Sequence, residues 1–282
     1  MAIQWFPGHM AKARREVQEK LKYVDIVFEL VDARLPKSSR NPMLDQIIQQ
    51  KPRIILLNKA DLADPVQTQK WQNYFNNLGY ETLALTAKND KSVKQIVPAA
   101  KKVLAEKRAR DKEKGLKERA IRAIVLGIPN VGKSTLLNHL AGKKVATTGN
   151  KPGVTKGQQW LRFNSQLELL DTPGILWPKF EDPEVGKRLA LTGAIKDDLL
   201  QLDDLAIYEL EILSRFYPEI LMERYQLSED DLFQPAAEIL MEITKKRGFK
   251  DDYERGSELL INELRQGRLG RFTLDRYEEK VD

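Results

Sequence analysis

The chain has 282 residues, enough for one α/β domain and a smaller second one. Hydrophobic residues make up 41% and charged residues 31%, a soluble globular mix, and the absence of Cys excludes disulfides, thiolate metal sites and thiol nucleophiles. The net charge of +6 is unevenly spread: residues 1–191 hold 34 Lys+Arg against 19 Asp+Glu (+15), and residues 192–282 hold 13 against 22 (−9), which suggests two regions with different surfaces. His9 and His139 are too few for a His-based zinc site. No apolar run is long enough to span a bilayer. The start, Met1–Met10, lacks the basic-then-apolar layout of a secretory leader. A cytoplasmic, membrane-free location is therefore expected.

In chain order, an amphipathic helix is predicted from about Met10 to Tyr23, followed by a buried strand over Ile26–Val31 that ends at Asp32. Further apolar runs at Ile54–Leu57 and Thr82–Thr86 read as strands, separated by helix-like segments Pro42–Gln50 and Gln67–Leu78. Residues 101–122 carry ten Lys+Arg and four Asp+Glu, where a helix fades into a solvated linker. Ile121–Leu126 is a strand, Ser134–Leu140 a helix, and Gln159–Phe163 with Leu167–Leu170 a hairpin around Asn164–Ser165. From Pro183 onward strand signals stop, and helices are predicted over Glu184–Ile195, Asp203–Phe216, Pro235–Arg247 and Arg255–Gln266. Short apolar runs alternating with helices imply a doubly wound, mostly parallel sheet over 1–180, with an all-α region over 181–282.

The sharpest motif runs from Gly127 to Ser134 (Gly-Ile-Pro-Asn-Val-Gly-Lys-Ser), between a strand and a helix. Its loop residues Asn130, Val131, Gly132, Lys133, Ser134 and Thr135 are candidates to cradle phosphates at a helix N-terminus. Lys133 would reach the β- and γ-phosphates, and the Ser134 hydroxyl would bind Mg²⁺. A phosphate loop does not choose a base. Asn58-Lys59-Ala60-Asp61 does, because a carboxylate at Asp61 accepts from two N–H donors on one edge of guanine that adenine lacks. Asn58 would orient the base and tie loops together, and the Lys59 stem would lie on its face. In Thr86-Ala87-Lys88, the Ala87 N–H would meet the guanine carbonyl. Asp171-Thr-Pro-Gly174 offers Asp171 to Mg²⁺ and the Gly174 N–H to the γ-phosphate, and Thr155 is a second Mg²⁺ candidate.

Base recognition at 58–61 and 86–88 precedes the phosphate loop, which precedes the switches at 155 and 171–174; an unpermuted GTPase runs phosphate loop, switches, base recognition. The motif order is thus circularly permuted, and the second switch runs within a few residues into the helical region. Where many GTPases carry a water-orienting Gln after the switch glycine, this chain has Ile175. Two residues stand as replacements. His9, beside the flexible Gly8, can orient or deprotonate water near neutral pH. Asn130 could hold a monovalent cation beside the phosphates, although a loop Asn is also an ordinary turn residue. His139 and Trp71, Trp160 and Trp177 read as structural.

Trp5-Phe-Pro-Gly-His-Met-Ala-Lys-Ala13, Val31-Asp-Ala-Arg-Leu-Pro36, the Asn58–Asp61 motif, Gly127–Ser134 and Asp171–Gly174, in this order, resemble the circularly permuted bacterial ribosome-assembly GTPases of the ribosome biogenesis GTPase A (YlqF) family. The resemblance covers the whole chain, including Gly267–Asp275. It implies late maturation of the large ribosomal subunit, potassium-supported GTP hydrolysis stimulated by the ribosome, and a catalytic role for His9. The hydrophobic Ile175 fits the same group. Five Lys+Arg without an acid over 143–162, with Lys12, Arg14 and Arg15, suit salt-dependent contact with rRNA, as do Lys245–Lys250 and Arg265–Arg276. Partners expected are the large subunit, its rRNA and ribosomal proteins, met by a monomer. The alternatives are a GTP-licensed rRNA-binding module with little turnover, and an RNA-modification or signalling GTPase.

Overall fold

The computed structural model describes residues 7–142, 160–170, 172, 174, 176–177, 180–195, 197 and 201–278, with backbone alone for 7–13. Six strands form one sheet: β1 (Ile26–Asp32), β2 (Arg53–Asn58), β3 (Glu81–Ala84), β4 (Ile121–Leu126), β5 (Trp160–Arg162) and β6 (Leu167–Leu170). The order across it is β3-β2-β1-β4-β6-β5. Every pair is parallel except β5–β6, whose hairpin closes one edge, with Asn164 Oδ1 accepting from the N–H groups of Gln166 and Leu167. β1 is buried along its whole length, as a central parallel strand covered on both faces must be.

Helices α1 (Pro7–Leu21), α2 (Pro42–Ile48), α3 (Pro65–Asn77), α4 (Asp90–Val93), α5 (Ile96–Val103), α6 (Ala105–Glu113) and α7 (Lys133–Ala141) connect and cover the strands. Local chemistry sets several starts: Asn41 and Asp64 each precede a Pro at the first helical position and accept from N–H groups of the first turn. Val17 and Leu21 of α1 pack with Leu44, Ile47 and Ile48 of α2 on one sheet face. α8 (Pro183–Leu191), α9 (Leu202–Phe216), α10 (Pro218–Tyr225), α11 (Glu229–Leu232), α12 (Ala236–Lys246) and α13 (Tyr253–Gln266) make the helical region. Leu210, Leu213, Ile243, Leu260 and Leu264 are buried within it, in an apolar cluster that continues into the sheet's other face.

Three details depart from the sequence reading. Residues 105–113 form a helix, α6, although none of its residues is buried. β3 ends at Ala84, so Thr86–Lys88 lie on the following loop. α10 and α11 went unanticipated, because their apolar stripes are short.

Candidate nucleotide-binding site

β4 ends at Leu126, and the phosphate loop leads from it into α7 at Lys133. The strands run outward from β1 to β3 and then restart at β4 on the other side of β1. The loop thus lies at the switch in strand order, outside the carboxyl ends, where ligands bind in such sheets. Asn130 (φ 58°) and Gly132 (φ 101°) are left-handed, the backbone type that gathers N–H groups into an anion-binding nest. A Cβ at Gly132 would stand 2.3 Å from Asn58 Nδ2, so a side chain there is excluded twice, by space and by φ. The buried Lys133 ammonium donates to the carbonyls of Gly127 (2.9 Å) and Ile128 (2.8 Å). Gly174 rests on the same loop: a Cβ on it would meet Pro129 N at 2.7 Å and Lys133 Nζ at 3.1 Å. Thr172 Oγ1 donates to Val125 O (2.5 Å), fixing the strand end from which Gly174 departs.

On the base side, Asn58 closes β2 and is buried. Its Nδ2 donates to Val131 O (2.8 Å), and its Oδ1 accepts from the Ala87 N–H (3.0 Å). One amide therefore clamps the phosphate loop to the Thr86–Lys88 loop, as expected of it. The Ala87 N–H, expected to meet the guanine carbonyl, is directed at Asn58 here. Asp61 is exposed, with one oxygen accepting from Thr86 Oγ1 (3.0 Å). The Ala60 N–H is bonded to Leu85 O (3.1 Å), and Lys88 is exposed. Lys59, left-handed at φ 59°, sends Nζ to Asn130 O (2.8 Å) and to Asp32 Oδ2 (2.9 Å).

Asp32 and Arg34, in the Val31–Pro36 segment that carries the family resemblance, lie against the base-reading loop. The β1–β2 register sets Asp32 beside Asn58, which brings its carboxylate under Lys59. Arg34, 1% exposed, donates to Asp32 from its backbone N, Nε and Nη2, and from Nη1 to Leu264 O in α13. Burial alone would push the Asp32 carboxyl up. The Arg34 and Lys59 charges outweigh it and hold the group below the usual carboxylate range. Burial, with the nearby Arg34 charge, leaves the Lys59 ammonium lowered although Asp32 opposes the shift. An Asp closing an apolar strand next to the strand of a base-reading loop is the signal that could have found this group.

The helical region backs the same loops. Arg271 donates to Ala63 O and Ala60 O, the Phe272 N–H to Leu62 O, and the Leu274 N–H to Arg34 O. Arg265 donates to Ala190 O, Leu191 O and Asp197, and Arg276 packs over Phe216 and Tyr217. Arg265, Arg271 and Arg276 of the Arg265–Arg276 cluster expected to face rRNA thus also make contacts within the chain, while Arg268 and Arg271 are exposed. Asn130 Nδ2 donates to Gly193 O, linking the phosphate loop to the end of α8.

Ser134 and Thr135 open α7. Thr155, Asp171 and Ile175 lie outside the described residues, as does most of the basic 143–162 segment. His9 falls in the first turn of α1, where the backbone alone is described. His139 Nε2 lies 2.7 Å from Asp90 Oδ1, in keeping with a structural role.

Residues 122–224 match the 50S ribosome-binding GTPase family. Ribosome biogenesis GTPase A of Priestia megaterium is 55% identical over 281 residues, 98% of this chain and 97% of that one. Mitochondrial ribosome-associated GTPase 1 of Mus musculus is 34% identical, covering 97% and 90% of the two chains. Among solved structures, a GDP-bound YlqF matches with TM-score 0.68 at 26% identity, over 94% of this chain and 100% of that one. A GNP-bound YlqF from T. maritima matches with TM-score 0.65 at 27% identity, over 94% and 98%.

Proposed function

This chain belongs to the ribosome biogenesis GTPase A family and hydrolyses GTP, and from that premise we propose that it binds the immature large ribosomal subunit in the cytoplasm and promotes its late assembly, releasing it after hydrolysis. The observation that carries the reading is the joining of the base-reading and phosphate loops through Asn58 and Lys59 in a chain 55% identical to such a GTPase over nearly the full length of both.

Guanine would be read by Asp61, whose exposed carboxylate has no cation partner among the described ion pairs, with the Lys59 ammonium held by Asp32. Phosphates would take the place on the Gly127–Thr135 loop where Lys133 Nζ, the α7 N-terminus and the bare Gly174 converge. These residues fit a nucleoside triphosphate with Mg²⁺. Ser134 would hold the ion together with Thr155 and Asp171, and when bound it offsets charge on the β- and γ-phosphates. His9, at the start of α1, would orient the attacking water. Asn130 would turn from Gly193 toward a potassium ion, and equal turnover in sodium and potassium would remove that ion from the scheme.

The permuted motif order ties nucleotide state to partner binding. Gly174 lies on the phosphate loop, while Leu176 and Trp177, two and three residues later, are buried in the cluster shared with α8 and α9. Movement at Gly174 is thereby passed to the helical region. Co-sedimentation with large subunits tests the reading: binding gained with a non-hydrolysable GTP analogue and lost with GDP is expected, and equal binding in both states overturns it.

A further inference from the structure

The amino end of the sheet, remote from the nucleotide, carries a charged surface that the GTPase reaction does not use. A six-residue strand spans roughly 20 Å, so this end is separated from the phosphate loop by the depth of the sheet. α6 crosses it and returns to β4 through residues 114–120 as a solvent-facing arch, with no residue of α6 buried and Leu116 59% exposed.

One carboxylate of the sheet end ties the arch down. Asp25, at the turn into β1, accepts from Lys107 Nζ (2.5 Å), from both Arg119 Nη atoms (2.8 Å each) and from the Arg122 N–H (3.0 Å). Burial raises the Asp25 carboxyl, and these donors outweigh it to leave the group lowered. Lys51 reaches the same corner, donating to Val24 O (3.0 Å). Lys107, Arg108, Lys112, Lys117 and Arg119 line a concavity of about 520 Å³ there, outnumbering the acids Asp25, Asp111 and Glu118 in the same lining. Arg108 pairs with Glu118 and Lys102 with Glu81, but Lys101, Lys112, Lys114 and Lys117 pair with no carboxylate among the described residues. The sequence holds ten Lys+Arg against four Asp+Glu over 101–122, so the surplus is not neutralised locally. A nine-residue helix that buries nothing contributes no core. Its order is maintained by the Asp25 tether, and what it presents is positive charge at fixed spacing.

We infer that this arch is a docking platform for the phosphate backbone of an RNA helix, gripping without reading sequence and without regard to the nucleotide. Polyanion complementarity favours RNA over an acidic protein segment, because the unpaired cations are lysines spread along an arch rather than a pocket shaped for side chains. The inference rests on the ribosomal reading only for where such a helix comes from. Among the described residues no hydrogen bond or ion pair of its side chains reaches the phosphate or base loops, so the platform would anchor the protein while the carboxyl edge changes state.

The test is the triple variant Lys112→Ala, Lys114→Ala, Lys117→Ala in the full chain, titrated with an RNA duplex of about 20 base pairs, longer than the ~16 that one duplex-binding domain covers. GTP affinity and thermal unfolding serve as checks that the fold is intact, since these lysine side chains make no hydrogen bond or ion pair among the described residues. Removing three phosphate contacts should reduce the slope of log affinity against log salt by about 2 to 3, equally with GTP and GDP, and weaken low-salt binding roughly tenfold or more. Equal slopes in variant and wild type, or no duplex binding by wild type, overturn the platform. Loss of subunit binding with duplex binding unchanged assigns the arch to a protein partner and overturns RNA. Duplex binding that follows the platform, with no binding of wild type to large subunits, leaves the platform standing and counts against the ribosomal reading instead.

Discussion

Two buried carboxyls, one on each side of the molecule's main division, are treated in opposite ways. Asp32, at the carboxyl edge of the sheet, accepts from Arg34 and Lys59 and is held ionised. Glu209, in the middle of α9, is fully buried, and neither oxygen has a hydrogen-bond partner among the described residues. Burial pushes its carboxyl up to about 8; the Arg265 charge opposes this and the Glu263 charge adds to it. A charge that positions a ligand-binding side chain must be permanent, so the site surrounds Asp32 with donors. The helical core keeps an acid that is neutral at moderate pH and becomes far costlier once it ionises. pH should therefore act on the helical region while leaving the nucleotide site alone.

The largest effect should come from the satisfied carboxyl. Asp32→Ala leaves Arg34 and Lys59 as buried, uncompensated cations, and a loss of about 4 kcal/mol in urea unfolding is expected, with weakened binding of a fluorescent GTP analogue. A loss under 1 kcal/mol would mean the cluster is not the tie described here.

Next comes Glu209. The folded chain keeps its proton up to about pH 8, whereas the unfolded chain loses it near the ordinary glutamate value of 4.5. Between those values the folded state binds more protons, so the stability is whole at the acid end and is lost as pH rises through about 8. Unfolding between pH 5 and pH 8 should show wild type losing on the order of 3 kcal/mol that Glu209→Gln keeps. Parallel curves for the two proteins would refute the assignment. The pH dependence of GTP affinity over the same range should be the same for both proteins, since Asp32 does not titrate there and the terminal phosphate's own titration is common to both.

The smallest of the three concerns the base. Asp61→Ala should cost roughly a hundredfold in GTP affinity, about 2.7 kcal/mol, with ATP affinity unchanged and folding intact, because Asp61 is exposed and, among the described residues, hydrogen-bonded only to Thr86. Equal losses for both nucleotides would show that Asp61 serves the loop rather than the base.

Much of the site was legible because its motifs are local. Gly127–Ser134 and Asn58–Asp61 each lie on one loop after one strand, and a short pattern is enough to place loop, strand end and helix start. Partnerships across the chain were not legible. Nothing in the residues from Gly267 to Asp275 announces that Arg271 will bond the carbonyls of Ala60 and Ala63, or that Arg34 will reach Leu264. Those pairs are separated by about two hundred positions or more and have no shared period. The charge run over 101–122 misled for a related reason: composition alone reads as a linker, whereas one buried carboxylate, Asp25, ties it down as a helix and arch.

The nucleotide class, the mostly parallel sheet, the helical tail and the inverted order of base and phosphate motifs were legible in local spacing and apolar periodicity. Which carboxyls are held ionised, which arginines bond within the chain and which lysines at the far end of the sheet have no carboxylate partner among the described residues came only with the fold. Those outcomes depend on burial and on partners brought in by register and packing, and neither is carried by any single stretch of residues.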